Sequence, residues 1–200
     1  MPLKLNDVSY SYGTSTPWAV DALDQVSLNI ENGEIIGLIG HTGSGKSTMA
    51  QIMCGLLKPD SGSVLIGDTL VEAKTKLKAV EMARRVGMVF QYPEHQIFGE
   101  TVEEEIGFGP KNLGWAENRI KKAVKAILPQ VGLNESFLKR SPTLLSGGEK
   151  RKVVLAGVLI MMPPILILDE PFVGLDPKAS FTVKEIMKQM CDEGASVFFS

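Results

Sequence analysis

Residues Gly40-His41-Thr42-Gly43-Ser44-Gly45-Lys46-Ser47 set glycines, a lysine and a serine at the spacing G-x-x-x-x-G-K-S. That spacing suits phosphate chemistry. The glycines let backbone N–H groups turn inward around an anion, and a following helix adds its positive end. Lys46 brings a point charge to β- and γ-phosphates, and Ser47 falls where a hydroxyl ligates Mg²⁺. Asp169 and Glu170 stand side by side after the apolar run Ile165-Leu166-Ile167-Leu168. Such a pair is often only the polar start of a loop, but downstream of a complete phosphate loop it suits phosphoryl transfer. Asp169 would hold the Mg²⁺ shell through water, and Glu170 would polarise the water that attacks a γ-phosphate. Leu145-Ser146-Gly147-Gly148-Glu149 opens another helix. Ser146 and the N–H groups around Gly147 and Gly148 form a second anion site whose target is not evident within the chain.

These residues need strands that end, and helices that begin, at one edge of a sheet. Ile35 to Ile39 and Ile165 to Leu168 are short continuous apolar runs, typical of parallel strands buried on both faces. Val197-Phe198-Phe199-Ser200 reads the same way. Val26, Leu28 and Ile30 alternate as in a half-buried strand. Helical spacing links Ile120, Ala123, Val124 and Ile127, and again Val183, Ile186, Met187 and Met190, where the methionines read as core filler. The pattern predicts an α/β fold: a sheet core with an antiparallel β subdomain and a helical insert. One domain is expected, its core at about 1–92 and 163–200 and its helical subdomain at about 93–162.

The composition bounds the partners. The chain has 200 residues, 44% of them apolar, and a net charge of −2, so one substantial core is within reach and no basic excess points to nucleic acid. Cys54 and Cys191 are too few and too far apart for a disulfide framework or a zinc site, which suggests a cytosolic setting. Met1-Pro2-Leu3-Lys4-Leu5 lacks the apolar core of a signal peptide. Val153 to Leu168 carries no charge, but Pro163-Pro164 interrupts it and it falls short of the roughly 20 residues of a spanning helix, so a buried helix followed by a buried strand is expected.

Taken in order, the phosphate loop, Gln91 after Val86-Gly87-Met88-Val89-Phe90, the Leu145–Glu149 signature, Asp169-Glu170 and Gly174-Leu175-Asp176 resemble the ATP-binding cassette ATPases over essentially the whole chain. The signature separates this family from kinases, GTPases and recombinase-like ATPases. The resemblance implies a RecA-like P-loop NTPase core, with ATP and Mg²⁺ as ligands. It assigns Gly40 to Ser47 and Thr48 to the nucleotide, Tyr12 to adenine stacking with Tyr10 as the alternative, and Gln91 to Mg²⁺ and the attacking water. It places Ser47, Gln91 and Asp169 around the metal, and makes Glu170, Gln91 and Lys46 the catalytic set. Ser146, Gly147 and Gly148 would face the γ-phosphate held by a second ATPase subunit, identical or paralogous, and Asp176 would reach that subunit's phosphate loop. Leu175-Asp176-Pro177 also reads as a helix cap. The run Lys150-Arg151-Lys152 reads as the solvated start of a helix, with a direct catalytic role as the alternative.

A narrower resemblance lies in Phe90-Gln91-Tyr92-Pro93-Glu94-His95-Gln96-Ile97-Phe98 and Thr101 to Pro110, which look like the ATPases of energy-coupling factor importers of vitamins and metal ions. It implies a peripheral protein on the cytoplasmic membrane face, with Pro93 to Phe108 as the groove for a transmembrane coupling subunit. His95, with no second ligand near it, reads as a packing or interface residue. Glu149 departs from the glutamine usual in the signature and brings a carboxylate near a phosphate, unless it points away. Asp169 to Pro177 looks more like some exporters' cassettes, so an exporter ATPase is the close alternative. The family places a γ-phosphate-contacting histidine shortly after a strand like Val197–Ser200. The chain therefore reads as C-terminally incomplete, with an unpaired sheet edge, nucleotide binding and poor hydrolysis expected. A non-hydrolysing nucleotide-binding module is the second class of reading. Chromosome and DNA-repair cassettes fit less well, because their long coiled-coil insertions are absent.

Overall fold

The computed structural model describes residues 1–92 and 96–200. Two four-stranded sheets organise the described residues. The first is antiparallel, in the order β2-β1-β4-β5, built from β1 (Leu3–Tyr12), β2 (Val20–Ile30), β4 (Ser61–Ile66) and β5 (Thr69–Val71). The second is parallel, in the order β3-β8-β7-β6, built from β3 (Ile35–Gly37), β6 (Val86–Val89), β7 (Ile165–Leu168) and β8 (Ser196–Phe199).

Alternation along the parallel strands divides the core in two. On β7, Ile165 and Ile167 join Phe198 of β8 against the antiparallel sheet and helix α1 (Lys46–Met53). Leu166, Leu168 and Val197 point the other way, onto α5 (Gly147–Leu159) and α6 (Pro177–Asp192). Successive side chains of a strand leave on opposite faces, so a strand covered on both sides must be apolar throughout. β7 meets that demand, with all four residues buried. Burying a side chain such as Phe198, 1% exposed, contributes about 2–3 kcal/mol.

β3 does not follow the expectation for Ile35 to Ile39. It lies at the sheet edge, where Ile35 is 45% and Ile39 97% exposed. An apolar run identifies a strand, but burial on both faces needs neighbours that the run itself does not specify. β3 and β6 are the outer strands of this sheet among the described residues.

Residues 102–159 contain helices and short 3-10 turns: α3 (Val102–Asn112), α4 (Glu117–Ile127) and α5, with no strand among them. Val124 and Ile127 are buried in α4, and Val183, Ile186, Met187 and Met190 in α6, as their spacing predicts. A short α2 (Ala79–Ala83) precedes β6. Cys54 and Cys191 are free thiols; burial is the main reason that Cys54 is pushed up to about 11. No helix among the described residues is long and apolar enough to cross a membrane.

Candidate nucleotide site

Because β3, β6, β7 and β8 run parallel, the segments that leave their C-terminal ends share one edge of the sheet. Ligand crevices of open α/β sheets lie at that edge. It carries the phosphate loop after β3, Gln91 after β6, Asp169 and Glu170 after β7, and Ser200 after β8.

Residues Gly40 to Ser44 form an exposed turn that leads into α1 at Gly45. Gly45 has φ +86°, and a Cβ there would come 2.3 Å from the Ala22 carbonyl oxygen of β2, so only glycine fits. No side chain caps α1, which leaves its first amides for a ligand. Lys46 donates from Nζ to the carbonyls of Gly40 at 2.9 Å and His41 at 3.0 Å, so its ammonium lies within the loop it is expected to share with phosphate. His41 Nδ1 pairs with the Thr42 carbonyl, and Thr42, Gly43 and Ser44 are exposed. Thr48 is buried, and its hydroxyl lies 3.2 Å from the Tyr12 phenol. That contact sets Tyr12, 43% exposed, beside the loop's helix, with the Tyr10 ring edge-on to it at 4.9 Å. Burial, more than the neighbouring Tyr12 and Asp60, raises the Tyr10 phenol above its usual range.

The acidic end of β7 is held from three directions. Asp169 is buried, and its Oδ1 accepts from the Ser200 hydroxyl at 2.7 Å. The same hydroxyl accepts the Glu170 N–H at 3.2 Å. The Glu170 carboxylate accepts from Gln91 Nε2 at 2.6 Å, which joins two residues 79 positions apart that the sequence reading gave related roles. Glu170 itself has φ +49°, a left-handed conformation that costs a non-glycine residue on the order of 1–3 kcal/mol and persists only when its surroundings impose it.

Arg151 supplies part of that imposition. Its guanidinium donates to the carbonyls of Val173, Gln91 at 3.1 Å and Glu170 at 3.3 Å. Arg151 is 8% exposed, so the solvated start expected for Lys150 to Lys152 is corrected at its middle residue. The signal was available in the helical period: Val154 and Leu155, three and four positions on, are buried with it. Ser200 was also missed as a site residue, and only its place directly after a parallel strand pointed to it.

The α5 start is closed on itself. Ser146 Oγ accepts the Glu149 N–H, and the Glu149 carboxylate accepts from Ser146 N and Ser146 Oγ, both at 2.8 Å, which makes a full capping box. Glu149 thus points back along its own helix, and its hydrogen bond from the Ser146 backbone is the main reason that its carboxyl is held below the usual range. Among the described residues no hydrogen bond or ion pair joins this helix start to the phosphate loop. Gly147 and Gly148 have nothing within 4 Å of an added Cβ. Asp176 caps α6, its Oδ1 accepting the Ala179 N–H at 2.7 Å with Pro177 in the first turn, so its helix-capping reading holds geometrically.

Pro93, Glu94 and His95 lie outside the described residues, and with them the expected interface role of His95 and the start of the Pro93–Phe108 groove. On either side, Tyr92, Phe98 and Phe108 are 55%, 76% and 53% exposed. Gln96 Oε1 accepts the Phe90 N–H, which ties this segment to the end of β6.

A glycine loop at a bare helix start, a lysine in the loop and paired carboxylates at the next strand end but one define a P-loop nucleotide-binding protein. The ABC transporter family matches residues 23–173. The chain is 47% identical over 194 residues to the energy-coupling factor transporter ATP-binding protein EcfA2 of Clostridium acetobutylicum, covering 94% of this chain and 68% of that protein. It is 51% identical over 179 residues to EcfA2 of Clostridium tetani, covering 89% and 62% respectively. A dimeric, post-hydrolysis structure of the ATP-binding cassette MJ0796 with ADP and Pi superposes with a TM-score of 0.88 at 29% identity, covering 98% of this chain and 86% of that one. The chain belongs to the ABC transporter family, as an ATP-binding cassette ATPase of the energy-coupling factor group. It spans 62–68% of the lengths of those two relatives.

Proposed function

We propose that this protein binds and hydrolyses ATP to drive an energy-coupling factor type importer. It would act as one half of an ATP sandwich at the cytoplasmic face of the membrane. The Gln91–Glu170 hydrogen bond at the strand edge that carries the phosphate loop is the observation that bears most on this reading. Gly40 to Thr48 cradle the phosphates, with Lys46 turning from its loop carbonyls to the β- and γ-oxygens, and Tyr12 stacks on adenine. Glu170 accepts a proton from the attacking water, and Gln91 orients that carboxylate toward it. Glycine-built amides at α1 receive charge that grows on the phosphoryl oxygens.

The residues present fit Mg²⁺. Asp169 is a buried carboxylate at the strand end and Ser47 opens α1, so a hard oxygen ligand set is available, and Gln91, hydrogen-bonded to the adjacent Glu170, would add its amide oxygen. Among the described residues no cluster of three or more His, Cys, Asp or Glu forms a protein cage, which suits a cation completed by substrate phosphates and water. When bound, the ion neutralises phosphate charge.

The α5 start serves the other half of the sandwich. Ser146 and the Glu149 amide close a capping box there, while Gly147 and Gly148 leave room for an approaching phosphate. The second subunit is a copy of this chain or a paralogue, and Asp176 lies at its boundary. Exposed Tyr92, Phe98 and Phe108 form the apolar part of the contact with a transmembrane coupling subunit, and residues 93–162 act as the helical unit that carries it.

Glu170→Gln tests the chemistry. It should lower ATP turnover by about 10²–10⁴-fold while leaving nucleotide affinity within a few fold, and it should trap an ATP-bound dimer seen by light scattering. Undiminished turnover by the variant would remove Glu170 from the reaction. Phe98→Ala should weaken complex assembly with the membrane subunits without altering ATP affinity.

A further inference from the structure

We propose that Arg151 is a positioning residue that couples the signature helix of one half-site to the hydrolytic centre of the other. The inference rests on the reading above, in which Ser146 faces the nucleotide held by a second subunit.

Arg151 lies in the second turn of α5, five residues after Ser146, or about 7.5 Å along the helix axis. From there its guanidinium reaches three carbonyls on two segments: Gln91 after β6, and Glu170 and Val173 in the loop between β7 and α6. The first two belong to the residues whose side chains pair at 2.6 Å. The third precedes Asp176, which sits at the expected subunit boundary. One rigid side chain therefore joins the helix that senses a facing phosphate to the base, to the glutamine that orients it, and to the boundary loop.

Glu170 shows why the contact matters for chemistry. Its backbone is left-handed, and its two polar groups are both held: the N–H by Ser200, and the carbonyl by Arg151 at 3.3 Å and by the Val173 N–H at 3.4 Å. Without Arg151 that carbonyl keeps only the long, neutral bond from Val173, which lets the peptide relax toward the ordinary β or α regions and swing the carboxylate away from Gln91. Ser200 grips the residue from the sheet side. Arg151 grips it from the helix side, so only Arg151 moves with Ser146.

Arginine suits the task for a geometric reason. Its planar fork carries five N–H donors in fixed directions, whereas lysine offers three donors from a single point. A buried cation on three carbonyls makes charge-assisted hydrogen bonds, so a shift of α5 is passed to both segments together.

The test compares wild type, Arg151→Gln and Arg151→Lys by ATP affinity of the isolated subunit, turnover number, Hill coefficient for ATP and thermal stability. Arg151→Gln should keep affinity within about threefold but lose about 10–100-fold in turnover, as a displaced catalytic group does, with the Hill coefficient falling toward 1. Arg151→Lys should regain part of the turnover and less of the cooperativity. If Arg151→Gln fails to fold, the lysine variant carries the test, with an expected turnover loss of about 3–10-fold at unchanged affinity. Either folded variant keeping wild-type turnover and Hill coefficient overturns the proposal and leaves the sandwich intact. In the Glu170→Gln background, wild-type Arg151 should support the ATP-dependent dimer. Absence of that dimer overturns the sandwich reading and the coupling with it.

Discussion

Helix α1 begins at Gly45 with no side chain bonded to its first amides, whereas α5 begins at Ser146 with both bonds of a capping box made. Both starts are glycine-rich and both suit anions, yet they are finished differently. At α1 the amides await a ligand that the same chain supplies with a lysine. At α5 the Ser146 and Glu149 amides are satisfied without any ligand, and Ser146 donates its hydroxyl to Glu149. A γ-phosphate arriving there would have to take that donor from a carboxylate. The difference suggests a site of standing affinity at α1 and one used only when a second subunit closes at α5.

The sharpest way to break the comparison is to add one methyl group at each start. Gly45→Ala should abolish nucleotide binding, with an affinity loss of more than about 100-fold by fluorescent-nucleotide titration, because the new Cβ meets the Ala22 carbonyl and the φ is left-handed. Gly148→Ala meets nothing within 4 Å, so the fold should be unaffected and ATP affinity unchanged. The ATP-dependent dimer should nonetheless weaken by about 10-fold or more, since the methyl occupies space reserved for the facing phosphate. Equal dimerisation by wild type and Gly148→Ala would place the partner elsewhere.

Glu149→Ala removes one side of the capping box and should cost about 1 kcal/mol in chemical denaturation at neutral pH. The folded chain holds this carboxyl below its ordinary value of 4.5, so its contribution is complete above that value and is lost as pH falls through the folded one. The stability gap between variant and wild type should therefore close on acidification. Tyr12→Phe should have the smallest effect. It removes the hydrogen bond to Thr48 but keeps a ring for stacking, so nucleotide affinity should change by less than about threefold, while Tyr12→Ala should lose about 10-fold.

Much of this contrast was legible in the residues. G-x-x-x-x-G-K-S between an apolar run and a helix, the acidic pair after Ile165 to Leu168, and the order of the remaining motifs pointed to the fold and to ATP. The α4 and α6 cores followed from a period near 3.6. Burial of Ile35 to Ile39 did not follow, because a run of apolar residues carries no information on whether a sheet continues beyond it. Arg151 was grouped with its charged neighbours Lys150 and Lys152, although its helical phase set it on the buried side with Val154 and Leu155. Charge runs are read along the chain, whereas burial is decided around the helix.

The sequence by itself determined which atoms are available: a glycine loop that alone tolerates φ +86° at Gly45, a lysine to meet phosphate, carboxylates at a strand end and a serine-led helix start. Those assignments rest on local stereochemistry and hydrogen-bonding capacity, which a short segment carries with it. Tertiary structure decided which of these atoms meet. Gln91 reaches Glu170 across 79 positions, Ser200 bridges Asp169 and the Glu170 amide, and Arg151 gathers three carbonyls from two segments. Parallel pairing brings the strand ends into one row, and buried polar groups must then find partners there, a demand that sequence spacing does not express.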